Sequence, residues 1–524
     1  MPSGTSSPES PSLLRRPGCW ITFLTAVPLV VGGMYAIENW LGVRELARVK
    51  REMAAAGIVL DAHRLSSSRP PDADNFFGTP LLLALSKGTT SSPEYRSIER
   101  LARWSDWMDN FSPAPGHSMP APQHPAPADW AVIRDAIAAK DRSSGLVKGG
   151  PQPLLEITAV LDRELAVIMA DLEAALPRPH AVLVPTLQDR VRAGERVDDI
   201  YAEEAAVRYL ATAVHFRART DLASARLEQA ASDTRILLRL AEGTEAFGTG
   251  RSAIIGSAIR MKAASTTWAA AVSQGSMPRQ AWSELSAAHR TGASLERIAQ
   301  ALHGEMIVMD HSARMLRADP PRMAEVFLGI DMHGSMQVEQ WKEWLVRFGP
   351  PGWIDFNVAG ALEGNWQLRQ RFEDPAHVER FNSARNRSWA RDWLESRSLA
   401  HGLIARRSLH GLVTSATMIT RSAMLSRLAE TACALEAFHA DHGDYPAALA
   451  ALGPGYWPGV PDDLDGKPLR YALDPHSGRY KIWSIGEDGV DEGGLEKSGL
   501  TGPRSHPPLR WVEPVGDWVW HFPK

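Results

Sequence analysis

Between Ser484 and Gly494 the chain reads Ser-Ile-Gly-Glu-Asp-Gly-Val-Asp-Glu-Gly-Gly, which gathers the carboxylates of Glu487, Asp488, Asp491 and Glu492 into one glycine-rich turn. Hard oxygen donors on a pliable loop suit Ca²⁺, which collects carboxylate and carbonyl oxygens. The alternative is a metal-free turn in which Asp488 bonds its own backbone. Other chemistries fail on spacing. Gly248-Thr249-Gly250-Arg251-Ser252 lacks a preceding strand and the lysine and hydroxyl of a phosphate loop, so it reads as a hinge between helices. His303, Glu305 and His311 do not place two imidazoles one helical turn apart, and no Gly-x-Ser-x-Gly elbow occurs. The 17 histidines are scattered; His117 and His124 lie in the proline-dense stretch 111–128, a spacer by composition. No catalytic residue is expected. The chain reads as a binding or assembly protein, with a hydrolase using scattered Asp and His residues as the other reading.

The turn needs elements to hold it. Leu425, Leu428, Cys433, Leu435 and Phe438 recur at helical spacing among Arg427, Glu430, Glu436 and His439, so this helix has one apolar and one wet face. Gly443 ends it, and Pro446 cannot continue it. Leu469–Leu473 and Arg479–Trp483 alternate apolar with polar across Asp474-Pro475-His476-Ser477-Gly478, a hairpin turn. Two strands alone are marginal in water, so they must lie on the helix.

Residues 427–494 therefore run from a helix through Gly443-Asp444-Tyr445-Pro446 to Gly466-Lys467-Pro468-Leu469-Arg470-Tyr471, and then to Tyr480-Lys481-Ile482-Trp483-Ser484-Ile485-Gly486-Glu487-Asp488-Gly489. This order resembles the globular domain of the major (G-type) pseudopilins of type II secretion systems, with their "G-x-Y-P" corner and closing "S-x-G-x-D-G" turn. The resemblance implies a small α+β module with an antiparallel sheet, and a calcium ion held by the side chains of Asp488 and Asp491. It also implies a part in a type II secretion or pilus-like assembly. A pseudopilin proper is the second reading within the family; against it stand the missing Gly-Phe and fifth-position Glu of a prepilin-peptidase site and the long chain between anchor and module. The whole chain resembles single-anchor bacterial envelope proteins.

The 524-residue chain as a whole is expected to be mainly α. Net charge of −4 and a pI near 6.5, with no basic stripe, exclude nucleic acid as a general partner. Trp20 to Ile37 carries no charge and as a helix would span about 27 Å, which predicts a retained transmembrane anchor over 20–41. Met34-Tyr35-Ala36 is a poor cleavage site. Arg44, Arg48, Lys50 and Arg51 outnumber Arg15 and Arg16, which favours the bulk inside; the pseudopilin resemblance favours it outside. The expectation is a single-pass inner-membrane protein, bulk periplasmic, with the membrane and other envelope proteins as partners. Cys19 and Cys433 are too far apart in context to pair.

The expected domains are a tail at 1–19, the anchor at 20–41, a juxtamembrane and proline-rich linker region at 42–152, and a helical-hairpin, tetratricopeptide-like domain at 153–320. A Trp-rich helical region at 321–400 follows, then the pseudopilin-like module at 401–503 and a Trp-rich tail at 504–524. In the hairpin domain Leu161, Leu165, Ile168, Leu172 and Leu176 form one stripe, and Thr220-Asp221 separates two amphipathic runs with Asp221 as cap. Trp341, Trp344, Trp353, Trp366, Trp389 and Trp393 either line a groove or fill contacts between helices.

Overall fold

The computed structural model describes residues 17–61, 69–86, 92–111, 128–195, 202–273, 277–318, 349–374, 379–495 and 516–522. Its helices are α1 (Pro17–Ala55), α2 (Pro80–Ser86), α3 (Pro93–Phe111), α4 (Trp130–Lys140), α5 (Pro153–Ala175), α6 (Leu187–Arg192), α7 (Ala202–Ala223), α8 (Leu227–Ala246), α9 (Gly250–Val272), α10 (Arg279–Arg290), α11 (Glu296–Ala318), α12 (Gly352–Glu373), α13 (Ser383–Glu395) and α14 (Leu399–His442). Strands β1 (Arg470–Leu473), β2 (Tyr480–Ser484) and β3 (Trp518–Trp520) form one antiparallel sheet in the order β1-β2-β3. The chain divides into two compact units, one of 1–59, 309–363 and 394–407, the other of 60–308, 364–393 and 408–524.

In the first unit, Leu46, Val49 and Met53 recur on one face of α1 and are buried. Gly42 and Gly352 let two helix backbones touch: a Cβ on Gly42 would stand 2.2 Å from the Gly352 carbonyl oxygen. Asn39 accepts from the Gly352 N–H at 2.7 Å, and Glu38 accepts from Trp353 Nε1 at 3.2 Å. These contacts close the uncharged run at Glu38, near the lower limit of what a bilayer core requires, and Pro28, Gly32 and Gly33 dilute it. Among the described residues no helix is long and apolar enough to cross a membrane. That finding corrects the anchor expected over 20–41, and with it the single-pass inner-membrane placement. Arg44, Arg48, Lys50 and Arg51, which follow the expected anchor, lie on the same helix, since α1 runs on to Ala55.

In the second unit the core is built around α7, whose Leu210, Ala211, Ala213, Val214, Phe216 and Ala218 have no exposed surface. It packs on α2, α3, α5, α8 and α9. The hairpins expected from short breaks are present, since α7, α8 and α9 follow one another across three-residue turns. A central helix enclosed by five others differs from a repeat stack, in which each unit touches only its neighbours. The region 42–152, expected to be juxtamembrane and proline-rich linker, contributes Phe76, Phe77, Leu82, Leu85, Ile98, Leu101, Trp104, Ile133 and Ile137 to this core; the densest proline run, 112–127, lies outside the described residues. The break between α7 and α8 falls at Ser224-Ala225-Arg226, where Ala225 adopts φ 57°. Asp221 sits inside α7, and its buried carboxylate pairs with Arg226 instead of capping α8.

The glycines give opposite expectations for one substitution. A Cβ on Gly304 would lie 1.8 Å from the Gly248 carbonyl oxygen, a backbone atom that cannot swing away, whereas Gly411 has open space around it. Gly304→Ala should lower unfolding free energy by roughly 1 to 3 kcal/mol. Gly411→Ala should raise it by up to about 1 kcal/mol, because alanine fits a helix interior better. Urea midpoints of the two variants check both signs.

Candidate functional site

Arg470 opens β1, and the strand pairs Arg470 with Trp483 across the hairpin. Its guanidinium points into the loop before it and gathers three carboxylates. Nη1 meets Asp463, Nη2 meets Asp465 Oδ2 at 2.7 Å, and Nε faces Asp491 Oδ2 at 3.4 Å. Asp463 is 3% exposed. It accepts from Ser484 Oγ at 2.5 Å and from the Leu464 and Ile485 N–H groups at 2.7 and 3.0 Å, so it ties the 462–467 loop to the end of β2. Burial pushes the Asp463 carboxyl up, with the Ser484 hydroxyl opposing. Asp465 is held below its usual range: Arg470 and the Lys467 N–H outweigh its desolvation.

The turn after β2 is organised by the same device on a smaller scale. Asp488 Oδ1 accepts from the Val490 N–H at 3.1 Å and Oδ2 from the Gly516 N–H at 3.0 Å. Asp491 Oδ1 accepts from Trp483 Nε1 and from the Gly493 N–H, both at 3.0 Å, and the Trp483 bond is the largest cause of its lowered pKa. Asp517 Oδ2 accepts from the Glu492 and Gly494 N–H groups at 3.1 and 2.7 Å, while its Oδ1 is buried with no hydrogen-bond partner. Glu487, sequestered under the turn, pairs with Arg421 of α14.

The donor set does not fit the calcium expectation for Asp488 and Asp491. Each of their oxygens already faces an N–H group or Arg470. The described residues also contain no group of three or more His, Cys, Asp or Glu able to hold a metal ion. Asp488 bonds its own backbone at the Val490 N–H, the geometry of an Asx turn. Ser484 is fully buried against Asp463, so this pair is a structural tie without access for a substrate.

The sequence reading missed Asp463, Arg470 and Asp517 as organising groups. A signal existed for the first two in Asp463-Leu-Asp465 followed at short range by Arg470. Asp517 had none, because it stands outside the turn in sequence. The module also extends past its expected end at 503, since β3 pairs with β2 through Ile482↔Trp520, Trp483↔Val519 and Ser484↔Trp518. Trp341 and Trp344 lie outside the described residues. Trp353, Trp366, Trp389 and Trp393 are half-buried. Arg371 lies over the Trp389 ring at 5.1 Å, and a Cβ on Gly364 would stand 3.0 Å from the Trp393 ring, so the Trp389 and Trp393 indoles pack between α12 and α13. Cys433 is a free, buried thiol pushed well above its usual range by burial.

No family model matches the chain, and neither a curated protein nor a solved structure is similar to it. The pseudopilin resemblance thus rests on the residues of 427–494 and their order.

Two outcomes follow from the geometry. Arg470→Gln leaves Asp463 buried without its cation and should cost about 3 kcal/mol, read from guanidinium unfolding. The full chain should melt at the same temperature in calcium and in chelator, and Asp488→Ala should lower both midpoints equally, by about 1 to 2 kcal/mol in unfolding free energy.

Proposed function

We propose that the protein is a helical scaffold whose α+β end works by assembly with another polypeptide, without catalysing a reaction. The observation that carries this reading is the state of the polar groups around Arg470. Asp463 and Ser484 are buried and bonded to each other and to backbone, and Glu487 of the adjoining turn is buried against Arg421, which supports a rigid surface better than a reaction centre. The helix, corner and sheet of 427–494 add the pseudopilin-like order, a module type that acts by packing against others. On this reading the sheet and its loops are the contact face, and the α7-centred bundle is its support.

Lysine-directed cross-linking of the full chain in its native extract tests the proposal. Lys467, whose side chain is 75% exposed beside Asp465, should link to a second polypeptide in preference to Lys140 and Lys148 on the helical part. Equal labelling without inter-chain links at Lys467 would remove the contact face. Ester or peptide turnover that Ser484→Ala abolishes would replace assembly with catalysis.

A further inference from the structure

Glu436 of α14 is a carboxylic acid enclosed by aromatic rings. It is 7% exposed and sits two helical turns before Gly443, where the helix ends at φ 78°. The Tyr445 hydroxyl from the Gly443–Pro446 corner reaches back to both carboxyl oxygens, at 3.1 and 3.2 Å. The Tyr445 ring is stacked on His439 at 4.4 Å and meets the Tyr480 ring edge-on at 4.9 Å. Tyr480 of β2 in turn meets Phe522 at 5.0 Å, and Arg479 lies over Phe522 at 4.7 Å. Tyr471 of β1 fastens the other side of the corner by donating to the Pro446 carbonyl at 2.5 Å. Glu436 is thus the polar pin where helix, corner, sheet and the segment after β3 meet.

We propose that Glu436 is a proton-operated latch, holding the Gly443–Pro446 corner and β2 against α14 while protonated and releasing the corner when ionised. A neutral carboxyl tolerates this enclosure, whereas a carboxylate there needs either water or a close cation. The groups that face it do not supply one at contact. Cys433 and His439 share its helix, and Tyr445 comes from the corner. From β2, the buried Tyr480 hydroxyl faces the carboxyl and, like Tyr445, favours its ionised form without supplying a positive charge. Arg479 acts on the carboxyl through its charge alone; its guanidinium lies over the Phe522 ring and reaches the Tyr445 hydroxyl.

Burial accordingly raises the carboxyl from 4.5 to about 7, against the opposing hydroxyls and Arg479. Between those values the folded chain keeps a proton that the unfolded chain has lost. The contribution to stability is full below 4.5 and is lost as pH rises through 7. The unfolding constant should rise by up to about tenfold per pH unit across that window.

The test uses the full chain with 3-fluorotyrosine at position 445, followed by ¹⁹F NMR from about pH 5.5 to about pH 8.5. The resonance should move with one midpoint near neutrality. Glu436→Gln, which keeps shape and hydrogen bonding, should remove the midpoint, and His439→Asn should keep it. A pH-independent resonance overturns the latch. So does a midpoint that survives Glu436→Gln or disappears with His439→Asn, which would assign the titration to the imidazole. If Glu436→Gln proves unfolded, the His439→Asn titration alone decides between the two groups.

Discussion

Trp268 of α9 and Trp520 of β3 lie face to face, ring centroids 4.9 Å apart and 11° from parallel, and the sheet depends on this stack. A hairpin of four- and five-residue strands has too little area to bury by itself, and a three-residue third strand adds little. Its inner face is closed by Leu428, Ala432 and Leu435 from α14 and by Ala264 and Trp268 from α9. The Trp268 indole N–H donates to the His521 carbonyl at 2.8 Å, which fixes where along the helix the last strand lies. Stacked aromatics add about 0.5 to 1.5 kcal/mol beyond their area. Trp520 Nε1, buried with no partner, returns part of that.

Buried charge supplies the specificity that small apolar faces lack. Arg217 holds the fully buried Asp233 at 3.0 Å between α7 and α8, and burial drives that carboxyl well above its usual range. Arg260 and Arg297 share Glu245, and a Cβ on Gly292 would stand 2.2 Å from the Arg260 guanidinium. His289 beside them is pushed down to about 3 by burial and by Arg260, so it remains a neutral partner of Thr267. Arg470 does the same for the sheet. Such pairs add little net stability, but each costs several kcal/mol when mismatched, which makes wrong helix pairings expensive.

The parts of the fold that were legible in sequence are those carried by local pattern. The stripe Leu161, Leu165, Ile168 and Leu172 is buried on α5, and the Gly443 stop and the 474–478 turn fall where their residue types require. Failures came from long-range context. Trp518-Val519-Trp520 is buried on every residue, so it shows no alternation and reads as loose aromatic tail. The 60–152 region hides its core residues among prolines, and Phe76 and Phe77 sit on a single turn that periodicity cannot detect. The uncharged run before Glu38 looked like a span because Asn39 and Glu38 bind α12 residues more than three hundred positions away. In the site, Asp488 and Asp491 were found by composition. Their role was not, because it is set by the N–H groups of Gly516 and Trp483.

The Trp268 contact also sets an order of events during synthesis. Its partner His521 is 253 residues further along the chain. A ribosome adding about 5 to 20 residues per second needs roughly 13 to 50 s to cover that distance. Throughout that interval the Trp268 indole of α9 lacks its stacking partner Trp520 and the His521 carbonyl, while the α7-centred bundle, whose contacts are nearer in sequence, has time to form. The nascent protein is therefore most exposed to aggregation and to chaperones on the face that the finished sheet conceals.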